Sequence, residues 1–286
     1  MTVAAVERCL RLIERLAGEG EPVELVELAE RVGLPNSATH RILATLVAAG
    51  WVIQDSATQK YALSLRFSTL AFRNLDARAV PDVAQIELDD LAARTREYCR
   101  LAIVEGEDLV WIARAQGATA ALRYDPVMGE DLVLHATANG KAWLSTLPEP
   151  EALRIVCARG FRSARPLGPH AIADVDDLRR HLDETRARGF AIAVDEGEAG
   201  TGAVAVPFRS SETSDAAVAG TVSVAGPLQR MVPDRFEALA EELRATAERL
   251  AAIWPLRARQ RGRAPNGGGS AAFPRRSNAP QVETPS

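Results

Sequence analysis

Between residues 24 and 63 the chain carries a pattern that leaves few folds open. Glu24 to Val32 repeats apolar residues at Leu25, Leu28, Ala29 and Val32, the spacing of one helix face. Gly33 stops that helix at a position suited to the left-handed conformation that closes helices. Leu34 and Pro35 make a turn, and Asn36 or Ser37 can cap a second helix. That helix runs to about Ala49, with Ile42, Leu43, Leu46 and Val47 inward and Gly50 after it. Two short β-prone stretches follow, Trp51–Gln54 and Lys60–Leu63, with a turn between them. Upstream, Val6, Leu10, Ile13 and Leu16 mark a further helix over 4–17. Three helices followed by a hairpin are the plan of a winged helix-turn-helix.

On that plan the helix 36–49 enters a DNA major groove with its first turns toward base edges. Its polar residues Asn36, Ser37, Thr39, His40 and Arg41 are expected outward. Arg41 can bond phosphate or guanine, and Asn36 or Ser37 phosphate or a base edge. Lys60, on the hairpin, is expected at a backbone phosphate. The bland alternative is a small helical module that binds protein.

Leu65 to Leu75 repeats Leu65, Phe67, Leu70, Phe72 and Leu75, more apolar than a free linker, so a packed helix is expected. Pro81 suits the first turn of the next helix, 82–96. Beyond it, strands are expected at 99–104, 109–114, 120–124, 132–134, 190–195, 203–208 and 216–224. Helices are expected at 138–147, 149–159, 174–188 and 234–253. The fold class is therefore α+β with a mainly antiparallel sheet. The expected division is a DNA-binding domain (1–63), a linker helix (64–80), a larger domain (81–256) and a disordered tail (257–286). After Pro255 the apolar pattern stops, and Gly267-Gly268-Gly269-Ser270, prolines and scattered arginines mark the tail.

Charge is uneven. The chain's net charge is −4, but residues 257–286 hold six arginines against one glutamate, +5, which leaves −9 elsewhere. An acidic body argues against broad nucleic-acid coating, not against one helix reading DNA. The tail arginines read as solvated, with added non-specific DNA affinity as the weaker alternative. Hydrophobic residues make up 47%, enough to build a core. No apolar run reaches the roughly 18 residues that span a bilayer. Glu7, Arg8, Arg11, Glu14 and Arg15 interrupt the stretch a secretory signal would need. Cys9, Cys99 and Cys157 are odd in number and far apart, so reduced thiols in the cytoplasm are expected, with no metal site and no cofactor.

Three ordered stretches carry a resemblance. ELVELAERVGLPNSATHRILATLVAAGWVI, ending at Ile53, comes first, and LHATANGKAWL, residues 134–144, second. RGFAIAVDEGEAGTGAVAVPF, ending at Phe208, is third, followed by TVSVAGP at 221–227. Together they resemble the IclR family of transcriptional regulators up to about residue 254. The resemblance implies a homodimer, or a dimer of dimers, on a palindromic double-stranded operator near a catabolic operon. It also implies a GAF-like effector domain that binds a small organic or aromatic acid, and dimer contacts through the N-terminal domain and linker helix. Asn36 and Ala38 stand where lysine and threonine are commoner.

The effector pocket can be argued in part from physics. Thr137 can cap a helix from Ala138, which leaves the N–H groups of Ala138, Asn139 and Gly140 at the positive end of its dipole, with Gly140 allowing close approach. The resemblance adds Asp195, Ala203, Ser223 and Ala225, with Leu122, Met128 and Trp143 as further lining. Members that bind small keto acids tend to have cysteine at the place of Ala203 and serine at that of Ala225. A less polar pocket, with an effector larger or more aromatic than glyoxylate or pyruvate, is therefore expected.

His135 reads as a satisfied structural histidine, Lys141 as a helix-surface charge, and Trp111 and Trp143 as core. No catalytic residue stands out: there is no nucleophile pair, metal set or cofactor loop. Two alternatives to an effector-controlled regulator stay open, a DNA-bound regulator without effector and, further off, an enzyme of small-acid metabolism.

Overall fold

The computed structural model describes residues 3–78, 81–126, 132–163, 165–211 and 217–261. The N-terminal helices are α1 (Ala4–Ala17), α2 (Leu25–Val32) and α3 (Asn36–Ala48), followed by the hairpin β1 (Val52–Gln54) and β2 (Tyr61–Leu63). Gly33 ends α2 in the left-handed conformation, φ 65°, as its position requires. Leu12, Leu16, Val23, Leu28, Leu43, Leu46, Val52 and Tyr61 form one buried cluster, so every element of the domain contributes to it. Val23 joins the hairpin by exchanging backbone hydrogen bonds with Tyr61.

The linker helix α4 (Arg66–Arg78) is fastened to this domain at its start. Ser64 Oγ donates to Gly50 O at 2.7 Å, and Arg66 Nη1 donates to Ala49 O. The Arg66 guanidinium lies 4.7 Å from the Trp51 ring centre, and Phe67 packs on the same ring. Leu65 and Leu70 are left exposed.

The larger domain runs α5 (Pro81–Thr95), β3 (Tyr98–Glu105), β4 (Asp108–Gln116), α6 (Ala138–Leu144), α7 (Glu149–Arg159), α8 (Val175–Arg188), β5 (Ala191–Val194), β6 (Thr201–Arg209), β7 (Val218–Pro227) and α9 (Pro233–Arg261). Five strands form one antiparallel sheet in the order β4-β3-β7-β6-β5.

Strand alternation gives its two faces side chains of different size. Leu101, Val204, Val206, Phe208, Val222 and Val224 point to one face, where α5 and α9 cover them. Ala191, Ala193, Ala203, Ala205, Ser223 and Ala225 share the other face by register. Only small side chains there let a helix lie close, and Ala138 and Ala142 of α6 pack directly on that carpet. Leu134, Trp143, Leu144, Ile155, Leu178 and Leu182 build a second core beneath α6, α7 and α8.

Two expected strands are absent. In 120–124 the backbone carbonyls are taken by side chains instead of a ladder: Arg230 Nη1 donates to Leu122 O and Gln116 Nε2 to Tyr124 O, each at 2.8 Å. In 132–134 the Val133 carbonyl accepts Thr137 Oγ1 and Ala136 N, the lead-in to α6. The helix expected at 138–147 ends at Leu144, and α9 continues through Pro255 to Arg261. The tail beyond 261 lies outside the described residues.

The buried face tests readily by thiol chemistry. Cys99 points into the α5 and α9 core, and burial pushes its thiol up to about 12. In native protein at pH 8, Ellman's reagent should modify exposed Cys157 first and Cys99 only after denaturant is added. Equal reaction of all three thiols in native protein would contradict this packing.

Candidate functional site

Two surfaces have functional geometry. The first is the outer side of α3. Asn36, Ser37, His40 and Arg41 are exposed over its first two turns. Leu43 and Leu46 hold the opposite side in the core. Thr39, expected outward, is fully buried, and its hydroxyl donates to Pro35 O at 3.2 Å. It anchors the helix and cannot reach a base. The residue before α3 is Pro35, and no side chain caps the helix, so Asn36 and Ser37 belong to its first turn rather than its cap. Lys60 sits on the hairpin, half-exposed, with Nζ 3.8 Å from Glu24 Oε1. A pair this loose and this exposed opens at little cost.

The second surface is a cavity of about 60 Å³ where the first turn of α6 meets the small face of the sheet. Ala138, Ala203, Ser223 and Ala225 line it as expected. Thr137 caps α6 by accepting the Gly140 amide at 3.1 Å. Arg100, Trp111, Tyr124, Arg165, Glu198 and Thr201 also line it, and none was expected there. The cavity is therefore mixed: charged and hydroxyl groups share it with alanines and aromatic rings. Its volume is that of about four or five waters; a ring-sized ligand needs a wall to move.

Several expected lining residues lie elsewhere. Asn139 is buried and donates to Thr221 Oγ1 at 2.9 Å. At Gly140 a Cβ would stand 2.1 Å from Leu134 O, so the glycine serves close packing of the preceding loop, not ligand approach. Trp143 fills the second core, and Leu122 is exposed. Asp195 takes a positive φ of 54° and accepts the Gly200 amide at 2.6 Å, which closes its own loop. Met128 lies outside the described residues.

The missed residues had a readable origin. Arg100 stands opposite Ser223, so strand alternation puts it on the small face. Trp111 reaches that face because β4 has one extra residue, Ile112, between the partners of Leu101 and Ala102. Without that bulge, alternation would turn Trp111 away. Tyr124 comes from the loop mistaken for a strand. Burial raises its hydroxyl above the ordinary range, and the nearby Glu198 charge pushes it the same way.

Lys141 corrects another expectation. It is fully buried beneath α6, where Nζ donates to Glu196 Oε1 at 2.7 Å and Oε2 at 2.5 Å, with His181 Nδ1 at 3.4 Å. Burial pushes the Lys141 ammonium below its ordinary range and the Glu196 carboxyl above it, and each charge opposes the other's shift. The pair bolts α6 to the loop after β5. His135 is buried too, edge-on to Phe161. Its Nε2 has no hydrogen-bond partner among the described residues, so it is not the fully satisfied histidine expected.

A larger groove of about 740 Å³ lies between β6 and α9, lined by Val206, Phe208, Arg244, Ala247 and Arg249. It is open, whereas polar groups converge on the smaller cavity, as ligand sites require. Among the described residues no cluster of His, Cys, Asp and Glu could hold a metal. No helix of the described residues is long and apolar enough to cross a membrane.

The Lys141–Glu196 pair yields a stability test. Lys141→Met strands a buried carboxylate and should lower unfolding free energy by about 3–5 kcal/mol. Adding Glu196→Gln, which keeps an acceptor for Val194 N, should recover a large part of that loss in urea titrations. A double variant no more stable than the single would contradict the pairing.

Comparison with known proteins matches both parts of the chain. Residues 5–56 match the IclR helix-turn-helix domain, and residues 71–252 match the bacterial transcriptional regulator IclR C-terminal domain. The chain is 30% identical over 249 residues to the probable transcriptional regulator SauR of Cupriavidus necator, covering 86% of this chain and 95% of that one. It is 29% identical over 253 residues to the transcriptional repressor AllR of Klebsiella pneumoniae, covering 88% and 90%. A putative IclR regulator from Silicibacter superposes with a TM-score of 0.72 at 26% identity, over 88% of this chain and 96% of that one. An IclR homologue from Microbacterium hydrocarbonoxydans, complexed with 4-hydroxybenzoate, gives 0.68 at 25%, over 88% and 99%. The chain belongs to the IclR family of transcriptional regulators.

Proposed function

We propose that this regulator reads a palindromic operator as a homodimer, or a pair of dimers, and that a small organic acid in the α6 cavity controls it. The observation that carries the DNA reading is α3 itself. Asn36, Ser37, His40 and Arg41 share one exposed side, and Leu43 and Leu46 fix the helix from behind. Dimer formation is supported by apolar side chains left exposed on α1 (Val6, Leu10), just before α4 (Leu65) and on α4 (Leu70). Two α3 helices one duplex turn apart would face successive major grooves. Such a protein works in the cytoplasm, with no membrane partner, on genes for metabolism of its effector.

The effector reading rests on the cavity where polar groups converge beside α6 and on the Microbacterium relative seen with 4-hydroxybenzoate. The proposed route is α4. Arg66, Ser64 and Phe67 grip the end of α3 and Trp51, so a shift of α4 moves the reading head. The effector acts by binding DNA-competent and incompetent arrangements with different affinity. Catalysis has no support in this site.

The test is Arg41→Ala against an operator selected from fragmented genomic DNA with wild-type protein. A lost phosphate or guanine contact should weaken binding about 10- to 100-fold, with the melting temperature unchanged because Arg41 is exposed. Unchanged affinity for Arg41→Ala and for the Ser37→Ala, Arg41→Ala double variant would remove α3 as the reading helix.

A further inference from the structure

Three charged groups line the cavity, Arg100, Arg165 and Glu198, and Arg100 makes no ion pair among the described residues. Arg100 is 8% exposed, at the middle of β3. Its Nε donates to the Tyr98 hydroxyl at 3.2 Å. Its guanidinium lies 4.6 Å from the Trp111 ring centre and 5.1 Å from that of Tyr98. These contacts fix the plane of the group. They leave its Nη2 buried and without a hydrogen-bond partner among the described residues.

A buried cation is normally paired, because taking it out of water without a counter-charge is costly. Glu198 shares the cavity, but no ion pair joins its carboxylate to Arg100 among the described residues. The wall around Arg100 is suited to a guest. Ser223 stands directly across from it on β7, Ala203 and Ala225 leave the floor open, and Trp111 gives a flat side. An anion entering here would gain charge-assisted bonds to a pre-oriented planar donor.

We propose that Arg100 is the receptor for the acidic group of the effector, so that recognition turns on the charge of that group. This rests on the reading of the α6 cavity as the effector site. The carboxylate oxygens take the free Nη2 edge of Arg100 and the Ser223 hydroxyl. The carbon body lies over the alanine floor beside Trp111. A neutral isostere fills the same space and offers the guanidinium a carbonyl oxygen but no counter-charge.

Calorimetric titration of the full chain with matched acids and amides tests this. The pairs run from acetate and acetamide through pyruvate and pyruvamide to 4-hydroxybenzoate and 4-hydroxybenzamide. The acid that binds should do so about tenfold or more tightly than its amide. Arg100→Met should erase that preference, and Arg100→Lys should keep part of it. The wild-type acid-to-amide ratio needs no variant, so a folding failure in Arg100→Met does not cloud the result. An amide binding as tightly as its acid, or an Arg100→Met protein that keeps the preference, overturns the role of Arg100 and leaves the effector cavity standing. No binding by any acid or amide overturns both.

Discussion

The C-terminal domain depends on a difference in side-chain size between the two faces of its sheet. Valines, Leu101 and Phe208 on one face make an ordinary apolar core with α5 and α9. Alanines on the other let α6 come down onto the strands. That approach places the first turn of α6 beside Arg100 and Ser223 and creates the cavity between them. Larger side chains at Ala203 or Ala205 would lift the helix or fill the space. Closeness also explains Gly140, which lets the helix press on the Leu134 backbone, and Lys141, whose charge is trapped underneath and met by Glu196.

The DNA-binding domain solves the opposite problem. It must expose polar groups on a helix that cannot be allowed to roll. Thr39, Leu43 and Leu46 lock α3 from behind, and Arg66 and Ser64 hold the turn that follows it. The same clamp makes α4 continuous with the reading head in mechanical terms. In the proposed function, α4 is where a change in the sensing domain would become a change in α3 spacing.

Much of this was legible in the sequence because it rests on periodicity and punctuation. The helix spacing of Leu25, Leu28 and Val32, the left-handed stop at Gly33, and the cap at Thr137 all took the form their residue types imply. What failed had non-local causes. Thr39 is polar in type but buried by its place on the helix, and its hydroxyl is satisfied by the helix's own first carbonyl. Lys141 reads as a surface charge until its partner 55 residues away is known. Arg100 was invisible as a cavity-facing group because its neighbours come from three other segments. The β4 bulge aims Trp111, the 117–126 loop brings Tyr124, and β7 brings Ser223. The strands expected at 120–124 and 132–134 failed because side chains and a helix lead-in claimed the backbone groups a ladder would have used.

Hydrogen–deuterium exchange with and without a binding carboxylate tests the central claim most directly, that ligand sits between α6 and the small face of the sheet. Bound ligand stabilises whatever it touches against local opening. The account predicts slowed exchange in the first turn of α6 and in the strand segments around Arg100, Ala203 and Ser223. Protection confined to α9 and the neighbouring part of β6 would place the ligand in the open groove instead and contradict the account.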